Sequence, residues 1–157
     1  MSAPETPGPD AALDALVRVG ERFGRTERWS AGQIAAFAAA AGDANPLHHD
    51  AAHAAGTRFK VPIASGTQTM SAMMGAFATW FTRRDDGVER AAVGVRFEFG
   101  LKRPVRAGDA LRIEWEVVSR AYEPRHGGWR VTARGTASTP EGVALEAEGT
   151  GLVVRAL

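Results

Sequence analysis

The feature that most restricts the fold of this chain is a change of hydrophobic period at Gly87. Before it, Met70, Met73, Met74, Phe77, Ala78 and Phe81 recur at offsets of three and four, the spacing of a single helix face. After it, Val93, Val95, Phe97 and Phe99 alternate with Gly94, Arg96 and Glu98, and side chains two apart share a face only in a strand. Leu111, Ile113, Trp115 and Val117 repeat the alternation, Trp129, Val131 and Ala133 repeat it again, and a last strand is expected from about Val143 to Val154. Gly108-Asp109, Gly127-Gly128 and Pro140-Glu141-Gly142 are turn signals between them. One long apolar helix ahead of four consecutive strands predicts an α+β fold in which the sheet buries one face against the helix, with the strands after Gly87 forming an antiparallel meander.

The first half adds shorter elements. A strand is expected from Glu21 to Trp29, and Ser30 with Gln33 makes a capping box at a helix start. Ile34, Phe37, Ala38 and Ala41 keep helical spacing, and Gly42 supplies a stop. A second, short helix is expected with Asp50 as N-cap, running through His53 to Gly56. On the central helix, Ser71, Ala72, Gly75, Ala76 and Thr79 lie opposite the apolar stripe and permit close packing there, while Trp80 lies off the stripe and is expected to meet the sheet or a partner subunit.

A chain of 157 residues fits one domain. Residues 1–17 are read as a flexible N-terminal segment and 18–157 as the folded unit. Met1 to Asp10 carries prolines and acids where a secretory signal would carry a basic patch and an apolar run. Met70 to Phe81 is too short, and too broken by Ser71, Gly75 and Thr79, to span a bilayer, so no membrane partner is expected. With 19 basic and 18 acidic residues and no basic cluster, nucleic acid is not an expected partner either. The absence of cysteine removes disulfides, thiolate metal sites and thiol nucleophiles, and a reducing, cytoplasmic setting is expected.

The chemically informative segment is Gly42-Asp43-Ala44-Asn45-Pro46-Leu47-His48, polar amid apolar neighbours. A carboxylate and an imidazole that face each other from a turn are able to hold one water between an acid and a base. Spacing by itself leaves the alternative open, in which Asp43 follows a helix end, Asn45-Pro46 makes a turn and His48 fills space. Elsewhere, His49 and His53 sit four apart without a third ligand, a poor case for zinc, and His126 lies in a solvated turn. Lys102, Arg103 and Arg106 form a modest basic group suited to the phosphates of coenzyme A or of a carrier-protein arm, or to plain solvation.

GDANPLHHD, with FAAAAGD before it and PIASG after it, resembles the hydratase 2 motif of MaoC-like (R)-specific enoyl-CoA hydratases, and FGLKRPVRAGDAL resembles that family's strand and turn leading into the next strand. The likeness covers most of the chain from about Val19 to the end. It implies a hot-dog fold, an antiparallel sheet wrapped around a long central helix. It also implies a hydratase or dehydratase that interconverts a 2-enoyl and a 3-hydroxyacyl thioester, carried on coenzyme A or acyl carrier protein. In that reading Asp43 and His48 activate the water and shuttle a proton at the α-carbon, Asn45 fixes the loop and the water, and the Gly66 N–H at the helix start is the oxyanion donor. No metal and no redox cofactor is called for, and a homodimer or higher homo-oligomer is implied. The sequence departs from the commonest pattern at Ser65, where many members carry histidine; its hydroxyl suits an N-cap or a contact to the acyl chain. Two alternatives remain at this stage: a hot-dog acyl thioesterase, and a non-catalytic acyl-thioester binding module.

Overall fold

The computed structural model describes residues 11–156. The elements run α1 (Ala11–Asp14), β1 (Arg22–Arg28), α2 (Ala31–Ala40), α3 (Pro46–His49), α4 (Ala51–Ala55), α5 (Gly66–Arg83), β2 (Arg90–Leu101), β3 (Ala110–Glu123), β4 (Gly128–Thr139) and β5 (Gly142–Arg155). All strand pairs are antiparallel, in the order β1-β3-β4-β5-β2, and α5 packs on the sheet, mainly against β2 and β1. This is the α+β hot-dog arrangement.

The meander expected after Gly87 holds only for β3, β4 and β5. β2 does not pair with β3: it lies at the far edge beside β5, while β1 takes the other flank of β3. Alternation reports which face a strand buries, not which strand it pairs with, so period gave the strands and left their order open. Within β2 the register shifts between Gly94 and Arg96. The extra residue reverses which side chains point inward, so Phe97 and Phe99 are half-buried against the core while Val93 and Val95 are 64% and 55% exposed.

The core is aromatic and centred on α5. Phe77 meets Phe81, Phe97 and Trp115 edge-on at centroid distances of 5.2, 5.4 and 5.5 Å. Such pairs add about 0.5–1.5 kcal/mol each beyond their buried area. The Trp115 indole lies over Gly135 of the neighbouring strand, where a Cβ would fall 2.6 Å from the ring, and its Nε1 donates to the Met73 carbonyl of α5 at 3.0 Å. A buried indole N–H thus finds an acceptor on the helix that the sheet wraps. The buried stripe of α5 is rotated from the expected one: Met73, Phe77 and Phe81 are buried together with Ala72 and Ala76, whereas Met74 and Ala78 face outward. Small side chains let the sheet approach closely enough for that side to become the inner one. Trp80 meets the sheet, stacking on Phe23 of β1 at 5.2 Å.

The folded unit begins earlier than residue 18. Residues 1–10 of the expected loose segment lie outside the described residues, but Ala11–Asp14 is a helix and Leu16 and Val17 are fully buried in the core. Two apolar side chains are enough to anchor a chain end when main-chain carbonyls around them also find donors. No described helix is long and apolar enough to cross a membrane.

Candidate active site

The site is built where α2 stops. Ser30 accepts from Gln33 N and Gln33 Oε1 accepts from Ser30 N, so the capping box read from sequence fixes the start of α2, and Ile34 and Ala38 bury its inner face. Gly42 then turns left-handed, φ +72°, a conformation without steric cost only for glycine. The turn delivers Asp43, whose N–H donates back to Ala38 O at 2.8 Å.

From there each residue of the loop holds the next. Asn45 N donates to Asp43 Oδ1 at 3.0 Å, and Asn45 Oδ1 accepts from Leu47 N at 3.0 Å as the N-cap of α3. Pro46 at the first helical position needs no N–H partner. The Asn-Pro pair, read from sequence as a turn, therefore starts a short helix. That helix carries His48 inward, and its Nε2 lies 3.3 Å from Asp43 Oδ2, with the imidazole side chain 8% exposed and the carboxylate 34%.

The rest of the environment comes from the segment before α5. Residues 62–64 run antiparallel to residues 105–107, with Ala64 N donating to Val105 O and Ala107 N to Pro62 O, both at 2.8 Å. Ile63 faces α3: its N–H donates to Leu47 O at 3.1 Å, and its carbonyl accepts from His48 Nδ1 at 2.6 Å. The carbonyl fixes the tautomer, because a proton must sit on Nδ1 to make that bond. In the neutral ring Nε2 then offers a lone pair toward a carboxylate oxygen, two acceptors side by side. Such a pair is satisfied by a donor reaching both, as water does, or by a proton on Nε2.

Ser65 and Gly66 follow two and three residues after Ile63. Ser65 is the N-cap of α5: its Oγ accepts from Gln68 N at 3.3 Å and contacts Thr67 Oγ1 at 2.9 Å, and the residue is 3% exposed. Gly66 opens the helix, and among the described residues its N–H has no acceptor, as helix geometry dictates for the first amides. It lines a groove of about 290 Å³ with Ile63, Thr69 and Leu101, rimmed by Arg58, Lys102 and Arg103. A Cβ on Gly66 would fall 2.4 Å from Leu101 Cδ2. Asp43, Asn45 and His48 are thus in direct contact, while Ser65 and Gly66 join them through the Ile63 segment and not by a side-chain bond.

The remaining polar candidates separate. Asp50 caps α4 by accepting from His53 N at 2.9 Å. The basic group divides, with Arg106 paired to Glu141 at 2.5 Å, Lys102 to Glu146 at 3.2 Å, and Arg103 on the groove. His49 and His53 do not act together, because His49 Nε2 donates to the Asp43 carbonyl at 2.5 Å. Two contacts at this loop are invisible to sequence patterns, that of His49 with the Asp43 carbonyl and that of His48 with the Ile63 carbonyl, because each acceptor is a main-chain group that no residue type announces.

A family model described as a MaoC like domain matches residues 17–135. The (R)-specific enoyl-CoA hydratase of Aeromonas caviae is 35% identical over 103 residues, covering 66% of this chain and 72% of that protein. Among solved structures, an (R)-hydratase from A. caviae involved in PHA biosynthesis superposes with a TM-score of 0.72 at 28% identity, over 86% of this chain and 96% of its own. An R-hydratase from Pseudomonas aeruginosa gives 0.71 at 28% identity, over 90% and 88%.

Proposed function

The chain belongs to the MaoC-like domain family, and on that premise we propose that it is a hydro-lyase adding water to, or removing it from, the carbon-carbon double bond of an acyl thioester. The observation that carries the reading is the 3.3 Å approach of Asp43 Oδ2 and His48 Nε2, two proton acceptors converging from one loop. Water held by both gives up a proton to the pair as its oxygen bonds to the β-carbon of the enoyl group. The π electrons move toward the thioester carbonyl, whose oxygen gains negative charge. Gly66 N–H, with the positive end of the 18-residue helix α5 behind it, is the group suited to meet that charge. The pair then returns a proton to the α-carbon. Dehydration is the same path reversed; nothing is oxidised or reduced, so no redox cofactor is drawn on, and in this proposal the Gly66 N–H meets the charge that a metal ion would otherwise meet.

The acyl group is carried on coenzyme A or acyl carrier protein, and the acting species in this proposal is a homodimer. β2 is an edge strand, and Val93, Val95 and Leu101 on it are more than half exposed, an apolar margin suited to a second copy.

The test is the absorbance of a conjugated enoyl thioester mixed with purified protein. Wild type consumes it, and Asp43→Asn lowers kcat by about a thousandfold, the scale of acid-base assistance, with the melting temperature nearly unchanged. An undiminished rate in Asp43→Asn ends this mechanism. Release of free thiol from a saturated acyl thioester would put a thioesterase in its place.

A further inference from the structure

We propose that His49 is a positioning residue for Asp43, a role that rests on reading Asp43 as the water-binding carboxylate. Asp43 is held at four atoms. Its N–H is taken by Ala38 O, its Oδ1 accepts from Asn45 N, its Oδ2 faces His48 Nε2, and its main-chain carbonyl accepts from His49 Nε2. The first three hold the Asp43 amide and carboxylate and leave its carbonyl, on the peptide plane that follows, for the fourth. Among the described residues no backbone N–H reaches that carbonyl, and His49 is the side chain that holds it.

A carbonyl only accepts, so Nε2 of His49 carries the proton, whatever the state of Nδ1. The geometry is economical because α3 presents consecutive residues to one target. His48, buried, faces the Asp43 side chain, and His49, exposed, reaches round to the Asp43 backbone. Were the peptide plane to turn, Ala44 and Asn45 would swing with it, Asn45 N would leave Asp43 Oδ1, and the freed carboxylate would rotate and carry Oδ2 from its 3.3 Å approach to His48. A displacement near 1 Å at a catalytic group costs up to about a hundredfold in rate. His49 touches neither water nor substrate in this account, so its effect falls on kcat and leaves KM alone.

The experiment compares His49→Leu and His49→Gln with wild type, with Asp43→Asn run beside them, on a 2-enoyl thioester. His49→Leu is expected to lower kcat about tenfold, with KM within about twofold of wild type. His49→Gln keeps an N–H donor and should recover most of the rate. Because residue 49 is exposed, both variants should melt with wild type. A kcat in His49→Leu indistinguishable from wild type overturns the inference. So does a His49→Gln as slow as His49→Leu, an effect confined to KM, or a rate loss matched by a fallen melting temperature. If Asp43→Asn itself runs at full rate, the carboxylate reading has failed; if Asp43→Asn is inactive and His49→Leu is not impaired, only the positioning role has.

Discussion

The loop of residues 42–50 and the chain segment of residues 11–21 each hold a single four-residue helix, are both rich in polar contacts, and are organised in opposite ways. In the loop, Asp43, Asn45 and their partners are no more than six residues apart, and two contacts, of Leu47 and His48 with Ile63, span 16 and 15. In the N-terminal segment, main-chain carbonyls are captured by side chains from distant strands and from the end of α5. Trp129 Nε1 donates to Leu13 O at 2.8 Å, Arg90 to Ala15 O and Leu16 O at 2.9 and 2.7 Å, Arg84 to Leu16 O at 3.2 Å and Arg120 to Val17 O at 2.5 Å, with separations from 68 to 116 residues. Short-range bonds shape a loop that the finished fold then displays. Long-range bonds help to finish the fold. Substitutions in the first region should therefore change rate and spare stability, and those in the second should do the reverse.

The hardest test of that contrast is Arg90→Met. The Arg90 side chain is 1% exposed and serves Asp86, Ala15 O, Leu16 O and Val88 O, so its loss strands buried acceptors at a cost of about 3 kcal/mol. For a chain of this size that lowers the melting temperature by about 10 °C, readable by calorimetry, with kcat at low temperature near wild type. A kcat that falls while melting is unchanged would invert the contrast. Next is Glu21→Ala. Glu21 accepts from Arg84 Nη1 at 2.6 Å and Trp80 Nε1 at 3.2 Å, with both partners of the ion pair largely buried, and about 2 kcal/mol is expected in chemical denaturation without a change in slope.

These differences in range also explain what the sequence disclosed. The capping box at Ser30, the stop at Gly42 and the Asp43 to His48 unit are local patterns, and local patterns are legible. The anchoring of Leu16 and Val17 is not, because nothing near them in the chain shows that Arg90 and Trp129 will arrive. The position of β2 was hidden for the same reason, and its exposed valines were hidden by a single inserted residue that reversed the alternation. The contact of His49 is hidden for a subtler cause: its spacing to His53 invites comparison with metal ligands, whereas its acceptor is a peptide carbonyl, and sequence patterns record side chains.

The smallest effect expected in this set is the most specific. Asp86 accepts two hydrogen bonds from Arg90, both 2.7 Å, and these, offset in part by desolvation and reinforced by Val88 N–H and the charges of Arg90 and Arg84, hold its carboxyl well below the usual carboxylate range. A carboxyl so depressed in the folded state contributes stability above about pH 4, where the unfolded chain is also ionised, and loses it progressively as pH falls below that value. Asp86→Asn should thus melt below wild type at pH 7, with the gap narrowing toward pH 3 as wild type loses its advantage. A gap independent of pH would mean that shape and not charge joins Asp86 to the clamp.

The bond from His48 to the Ile63 carbonyl closes off one end of the imidazole. With that nitrogen occupied, the ring is a terminus for protons and not a conduit to the interior, so whatever it receives leaves by the nitrogen that received it. In the proposed reaction the hydroxyl and the hydrogen accordingly arrive from one side of a planar substrate. The side from which the two groups are delivered is thus tied, in this proposal, to a single main-chain contact.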